Sequence, residues 1–113
     1  MTNSKRFKVD LRKLVESNYH RADFNVNKVC TILSISRASI YRKTIYTCHC
    51  TPQEYIENIR LDKAASKIIA NECLIKEIAV EVGYNDPKHF SKLFKQRFGM
   101  NPTKYKKTVV LFD

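Results

Sequence analysis

This sequence predicts an all-α fold in which two helix-turn-helix units are joined by one long linking helix. Three observations carry that prediction. Apolar residues recur at the helical period in segment after segment. Only 2 glycines and 3 prolines occur among 113 residues, too few turn-makers for a many-stranded sheet. A short helix, a tight turn and a longer basic helix occur in that order twice, and a tandem pattern is far more specific than a single one. At this length the chain is expected to form one compact unit, and its 43% hydrophobic content supplies enough apolar surface to offset the entropy of ordering it.

Residues 1–8 are polar and basic and are expected to be a flexible start. From Val9 to Asn18, Leu11, Leu14 and Val15 follow i, i+3, i+4, the stripe of an amphipathic first helix. Asn25 is placed to cap a short second helix that buries Val26, Val29, Cys30 and Leu33, and Ser34-Ile35 makes the turn. Ser36 caps a third helix from Arg37 to about Thr47, with Ile40 and Thr44 on one face and Ala38 and Arg42 on the other. Thr51-Pro52-Gln53-Glu54 is a strong helix start, combining a cap, a proline at the first helical position and a glutamate three residues after the cap. No breaker follows until about Asn71, so the linking helix 52–71 should span roughly 30 Å.

Ile75, Ile78, Ala79 and Val82 share one face of a short helix that Gly83 stops. Asp86-Pro87 caps and opens a final long helix to about Phe98, closed by Gly99. Pro102 to Lys107 is expected to form a short last turn, which completes about seven helices. The apolar tail within 108–113, Val109-Val110-Leu111-Phe112, is expected to pack on its own domain. The units then cover about 9–50 and 74–107, with the second turn one residue longer than the first.

Charge points to the partner. Lys+Arg 21 against Asp+Glu 11 gives a formal +10, which favours a polyanion. No apolar run approaches the roughly 18 residues of a spanning helix, so a membrane partner is not expected. Lys5 and Arg6 lead into no apolar stretch, so the expected setting is cytoplasmic. The acids are segregated: none lies between Phe24 and Gln53 or between Pro87 and Lys107, whereas Glu54, Glu57, Asp62, Glu72, Glu77 and Glu81 fall on the linking and support helices. Both candidate reading helices are therefore free of carboxylates that phosphate would repel. On a wheel of about 100° per residue, Phe90, Phe94 and Phe98 gather on one side of the last long helix and Lys88, Lys92 and Lys95 on the other. An apolar face packed on its own unit with lysines pointing away suits the major groove, where Lys donates to guanine O6 and N7.

The second unit resembles the C-terminal signature of the AraC/XylS family of bacterial transcription activators through Ile75 to Ala79, Val82-Gly83-Tyr84, Asp86, Phe90-Ser91-Lys92-Leu93-Phe94-Lys95, Phe98-Gly99, Asn101-Pro102 and Tyr105. Pro52, Tyr55-Ile56, Arg60-Leu61 and Ala64 of the linking helix fit as well, and Ser36-Arg37, Ile40-Tyr41-Arg42-Lys43 and Pro52 resemble the output domains of hybrid two-component regulators. The resemblance implies homeodomain-like subdomains that each place their second helix in the major groove. Carried over by position, it names Arg37, Ala38, Tyr41, Arg42, Lys88, His89, Ser91 and Lys92 as base readers, led by Arg42 and Lys92, with Tyr41 the only outward aromatic on a reading helix. Ser36, Lys43 and Lys95 are expected on phosphates, which position the protein without reading sequence. It further implies RNA polymerase as a partner and a regulatory or sensory domain outside this chain. A linking helix of roughly 30 Å is close to one turn of B-DNA, roughly 34 Å, so both reading helices are expected in successive major-groove segments of double-stranded DNA. Departures fall in the first unit: Ser34 stands where the family often has Gly, and Thr44, Thr47 and His49 replace an apolar pair and a Gly, so an irregular end to the first reading helix is expected.

Other chemistries find less support. Cys48-His49-Cys50 with Cys30 and Cys73 lacks the paired spacing of structural zinc, so free thiols and no metal are expected. His20, His49 and His89 lie in separate elements beside no nucleophile motif or phosphate loop, so neither an enzyme nor a cofactor is expected. The remaining alternative is a basic interaction or RNA-binding module, although no G-x-x-G loop or aromatic sheet face is visible.

Overall fold

The computed structural model describes residues 2–70 and 73–112, with the side chains of Thr2, Asn3, Val110, Leu111 and Phe112 excepted. Among the described residues the chain is all-α, as predicted, with seven helices: α1 Thr2–Asn18, α2 Val26–Leu33, α3 Arg37–Cys48, α4 Pro52–Ala70, α5 Ile75–Glu81, α6 Pro87–Phe98 and α7 Pro102–Phe112. Length suggested one compact unit, but the chain divides into two. One comprises the residues through Tyr19 together with Asp23–Ile59, and the other His20–Ala22 with Arg60 onward, so α4 contributes to both.

In the first unit α1, α2 and α3 enclose Phe7, Leu11, Val15, Phe24, Val26, Val29, Ile40 and Ile56. The expected flexible start is corrected here, because α1 begins at Thr2, ahead of Val9. Phe7 extends the Leu11 and Val15 stripe one turn toward the N-terminus and is 9% exposed, while Arg6 pairs with Asp10 at 3.3 Å one turn along. Cys30 packs half-buried against this core.

In the second unit Leu61, Ala64, Ile68, Ile78, Val82, Phe90 and Phe94 are buried. Arg60, only 6% exposed, donates from Nη2 to the Arg21 carbonyl at 2.9 Å and lies 5.7 Å over the Tyr84 ring. Packing a guanidinium on an aromatic face while its donor is satisfied is the least costly way to bury it. α7 also corrects the sequence reading, since it continues to Phe112 where a short turn and a tail were expected. Nothing between Thr103 and Phe112 breaks a helix, and the Thr108 hydroxyl donates back to the Lys104 carbonyl at 2.9 Å. Val109 is half-buried; the packing expected of Val110 to Phe112 concerns side chains outside those described. α4 is observed to Ala70, and the expected end at Asn71 lies outside the described residues.

The caps read from sequence form as hydrogen bonds. Asn25 Oδ1 accepts from Lys28 N at 3.0 Å, Ser36 Oγ from Ser39 N at 3.1 Å and Asp86 Oδ1 from Lys88 N at 3.0 Å. Thr51 and Glu54 close a reciprocal capping box, with Glu54 N donating to Thr51 Oγ1 at 3.1 Å and Thr51 N to Glu54 Oε1 at 2.9 Å.

Candidate nucleic-acid interface

Each unit presents one long helix behind a tight turn, and the turns correspond bond for bond. Ile35 N donates to Cys30 O at 3.0 Å as Tyr84 N does to Ala79 O at 2.9 Å, and the left-handed position between helices is Ser34 (φ 54°) in one and Gly83 (φ 102°) in the other. One residue more then precedes the Asp86 cap than precedes the Ser36 cap, as the sequence indicated. Within the reading helices Ile40 and Thr44 stand where Phe90 and Phe94 stand, all 1% exposed or less. That alignment sets Arg42 and Lys92 at equivalent places, both exposed and both facing away from the buried pair.

On α3, Arg37, Ala38, Tyr41 and Arg42 are all exposed, as a reading surface requires. Arg37 Nη1 hydrogen-bonds to Asn27 Oδ1, which ties the first turn of α3 to α2, and Arg42 Nη2 lies 3.5 Å from Ser39 Oγ. Ser36 Oγ spends its acceptor on the cap and keeps its hydroxyl proton for another partner. Lys43 is exposed with Nζ 5.7 Å over the Phe7 ring, on the flank of the helix. A groove of about 540 Å³ runs beside Tyr41 and Ala38, with Val26, Ile40 and Pro52 in its lining.

The end of α3 is regular where irregularity was expected. His49 takes the left-handed cap conformation (φ 60°) and its N–H reaches Ile45 O at 3.0 Å, the bond Gly99 makes to Lys95 O at 2.8 Å. Thr44 satisfies its buried hydroxyl on Ile40 O at 2.7 Å, which lets a polar residue fill an apolar place. Two outward residues escaped the sequence reading. Tyr46 is 78% exposed and Ile45 40%, so Tyr41 is not the only outward aromatic on α3. Laying α3 on the wheel already used for α6 would have found both.

On α6, Lys88, His89, Lys92 and Lys95 are exposed and Ser91 is half-buried. His89 meets Tyr84 edge-on with ring centroids 6.0 Å apart, so its imidazole leans on the turn of its own unit. Arg97 leaves the lysine group altogether and grips Asp62 of α4 with two bonds of 2.8 and 2.9 Å. Beneath the lysines, Phe94 stacks between Phe90, Phe98 and Tyr105 with centroids 5.7, 4.5 and 5.2 Å away.

No three His, Cys, Asp or Glu side chains converge on a metal-sized site among the described residues. The Cys73 thiol is held above its ordinary value, first by lost solvation and then by Glu81, whose Oε2 lies 3.8 Å from Sγ.

The family model for the helix-turn-helix domain matches residues 29–108. Histidine kinase P4 of Formosa agariphila is 36% identical over 82% of this chain and 7% of its own length. The lactose operon transcription activator of Staphylococcus xylosus is 32% identical over 81% of this chain and 33% of its own. Among solved structures, the C-terminal domain of AraT, a response regulator from Geobacillus stearothermophilus, aligns with TM-score 0.83 and 27% identity over 88% of this chain and 82% of that one. The chain belongs to the AraC-type helix-turn-helix family. As an AraC-type domain it binds DNA sequence-specifically in transcription regulation. It spans about a third or less of the two curated relatives, and the kinase likeness is confined to this segment. No helix among the described residues is long and apolar enough to cross a membrane.

Proposed function

We propose that α3 and α6 each enter the major groove of one duplex, in successive segments, with Arg42 and Lys92 as the principal base readers. What carries this reading is their equivalence: each is the sixth residue of its reading helix, exposed and opposite the buried pair that seats the helix. Both donate to guanine O6 and N7. Arg37, Ala38, Tyr41, Lys88, His89 and Ser91 flank them as the remaining base contacts. Lys43, Lys95 and the free proton of Ser36 hold phosphates. The protein acts by binding, without catalysis or a cofactor, on chromosomal DNA in the cytoplasm. Activation through RNA polymerase, under control of a sensory or regulatory domain beyond this segment, is the role that fits relatives described as a histidine kinase, an operon activator and a response regulator.

Selection from a random duplex pool tests this directly. A recovered consensus that unrelated duplex and RNA fail to displace is expected. Displacement by either at equal concentration would leave only a basic polyanion binder. On the selected site, Lys92→Ala should relax preference at one base pair, whereas Lys95→Ala should weaken all duplexes alike.

A further inference from the structure

The two reading helices carry different chemistry at equivalent places. Ala38, Tyr41, Ile45 and Tyr46 of α3 stand where α6 has Lys88, Ser91, Lys95 and Gln96. Only Arg42, opposite Lys92, keeps a cation in that outward set. Tyr41, Ile45 and Tyr46 are 50%, 40% and 78% exposed, and among the described residues α6 exposes no large hydrophobic side chain. The core does not need these three, since Ile40 and Thr44 already seat α3. Their use lies outside the fold.

In the major groove the one apolar group on a base edge is the thymine 5-methyl, and apolar side chains are what contact it. We infer that the first unit reads a thymine-rich half-site through those methyl groups, with Arg42 as its principal directional contact, while the second unit reads an acceptor-rich half-site with lysines. This rests on the major-groove reading proposed above and adds what each helix recognises. DNA is the favoured occupant of the apolar face because Arg37, Arg42 and Lys43 frame it and no acid occurs between Phe24 and Gln53. The groove beside Tyr41 and Ala38 leaves room for a base edge to approach.

Deoxyuridine tests the inference, since it keeps every hydrogen-bonding group of thymidine and lacks only the methyl. On the selected site, replacing thymines one at a time should cost about fourfold in affinity per contacted methyl, at positions confined to one half of the site. The Tyr41→Ser/Ile45→Ser variant, altered only at exposed positions and checked by circular dichroism, should bind the thymine site more weakly and become indifferent to uracil. Lys92→Ala should keep the uracil effect. Affinity unchanged within twofold when every thymine is replaced would overturn the inference, and that test needs no variant to fold. A uracil loss undiminished in Tyr41→Ser/Ile45→Ser would overturn it too, as expected if this face docks a protein instead. If no duplex is preferred at all, the major-groove reading falls and takes this inference with it. Uracil indifference on a preferred site overturns the inference alone.

Discussion

Ser34 and His49 hold left-handed backbone at φ 54° and 60°, where the second unit uses Gly83 and Gly99. A side chain there costs about 1–2 kcal/mol, and a glycine returns part of that as added freedom of the unfolded chain. Ser34→Gly and His49→Gly are therefore each expected to stabilise the fold by about 0.5–1 kcal/mol in urea titrations, and Gly99→Ala to destabilise it by about 1 kcal/mol. An added Cβ at Gly99 meets nothing within 4 Å, so backbone strain is the whole of that last effect. Glu54 offers a pH test at the same scale. Its hydrogen bond from the Thr51 backbone N–H, then that with the Thr51 side chain, hold its carboxyl below the usual carboxylate value. A folded-state value below the unfolded one stabilises above the unfolded value and is lost as pH falls through the folded one. The difference in Tm between the native chain and Glu54→Gln should accordingly be largest near neutrality and shrink on acidification. Such caps were legible in sequence because they are local, each needing only a residue type and a spacing of two or three. The strain at Ser34 and His49 was legible only as missing glycines; that both positions still form proper caps needed the backbone.

At the scale of elements, the repeat runs further than the turn-and-helix pattern that revealed it. Asn101-Pro102 and Tyr105 open α7 as Thr51-Pro52 and Tyr55 open α4: Tyr105 N donates to Asn101 O and Tyr55 N to Thr51 O, both at 2.9 Å. Both prolines are buried. This extension stood in the sequence as a repeated proline and tyrosine at one spacing, five residues in all. Phe7 was less accessible, being one apolar residue within a basic run, and only the α1 stripe below it gives that residue a place. The Arg97–Asp62 pair could not be read at all, since its partners are 35 residues apart and each is an ordinary charge on its own helix. Because Arg97 and Asp62 are 33% and 54% exposed, solvent screening limits the pair to about 0.5–1 kcal/mol. Arg97→Ala should cost about that much in thermal or urea unfolding. It should also leave the salt dependence of DNA binding unchanged, the opposite of Lys95→Ala. Phe94→Ala, emptying the centre of the aromatic cluster at 0% exposure, should cost about 3–5 kcal/mol and lower binding by unfolding the second unit.

At the scale of the whole molecule, the count of 21 Lys and Arg overstates the cations that DNA meets. Several cations already have partners within their own unit: Arg6 with Asp10, Arg12 with Glu16, Lys28 with Asp23, Lys67 with Glu81 and Arg97 with Asp62. The reading helices keep Arg37, Arg42 and Lys43 on α3 and Lys88, Lys92 and Lys95 on α6. Each phosphate neutralised releases counterions and adds about 0.9 to the slope of log affinity against log salt, so Lys43 and Lys95, the two cations proposed on phosphates, predict a slope near −2. A titration of specific binding between low and physiological salt measures it. Lys95→Ala should bring the slope to about −1, while Tyr41→Ser/Ile45→Ser should leave it at its native value because methyl contacts release no counterions. A native slope near −10 would mean that the basic residues of α1 and α7 also track the backbone. The reading surface would then be wider than the two helices on which the sequence placed it.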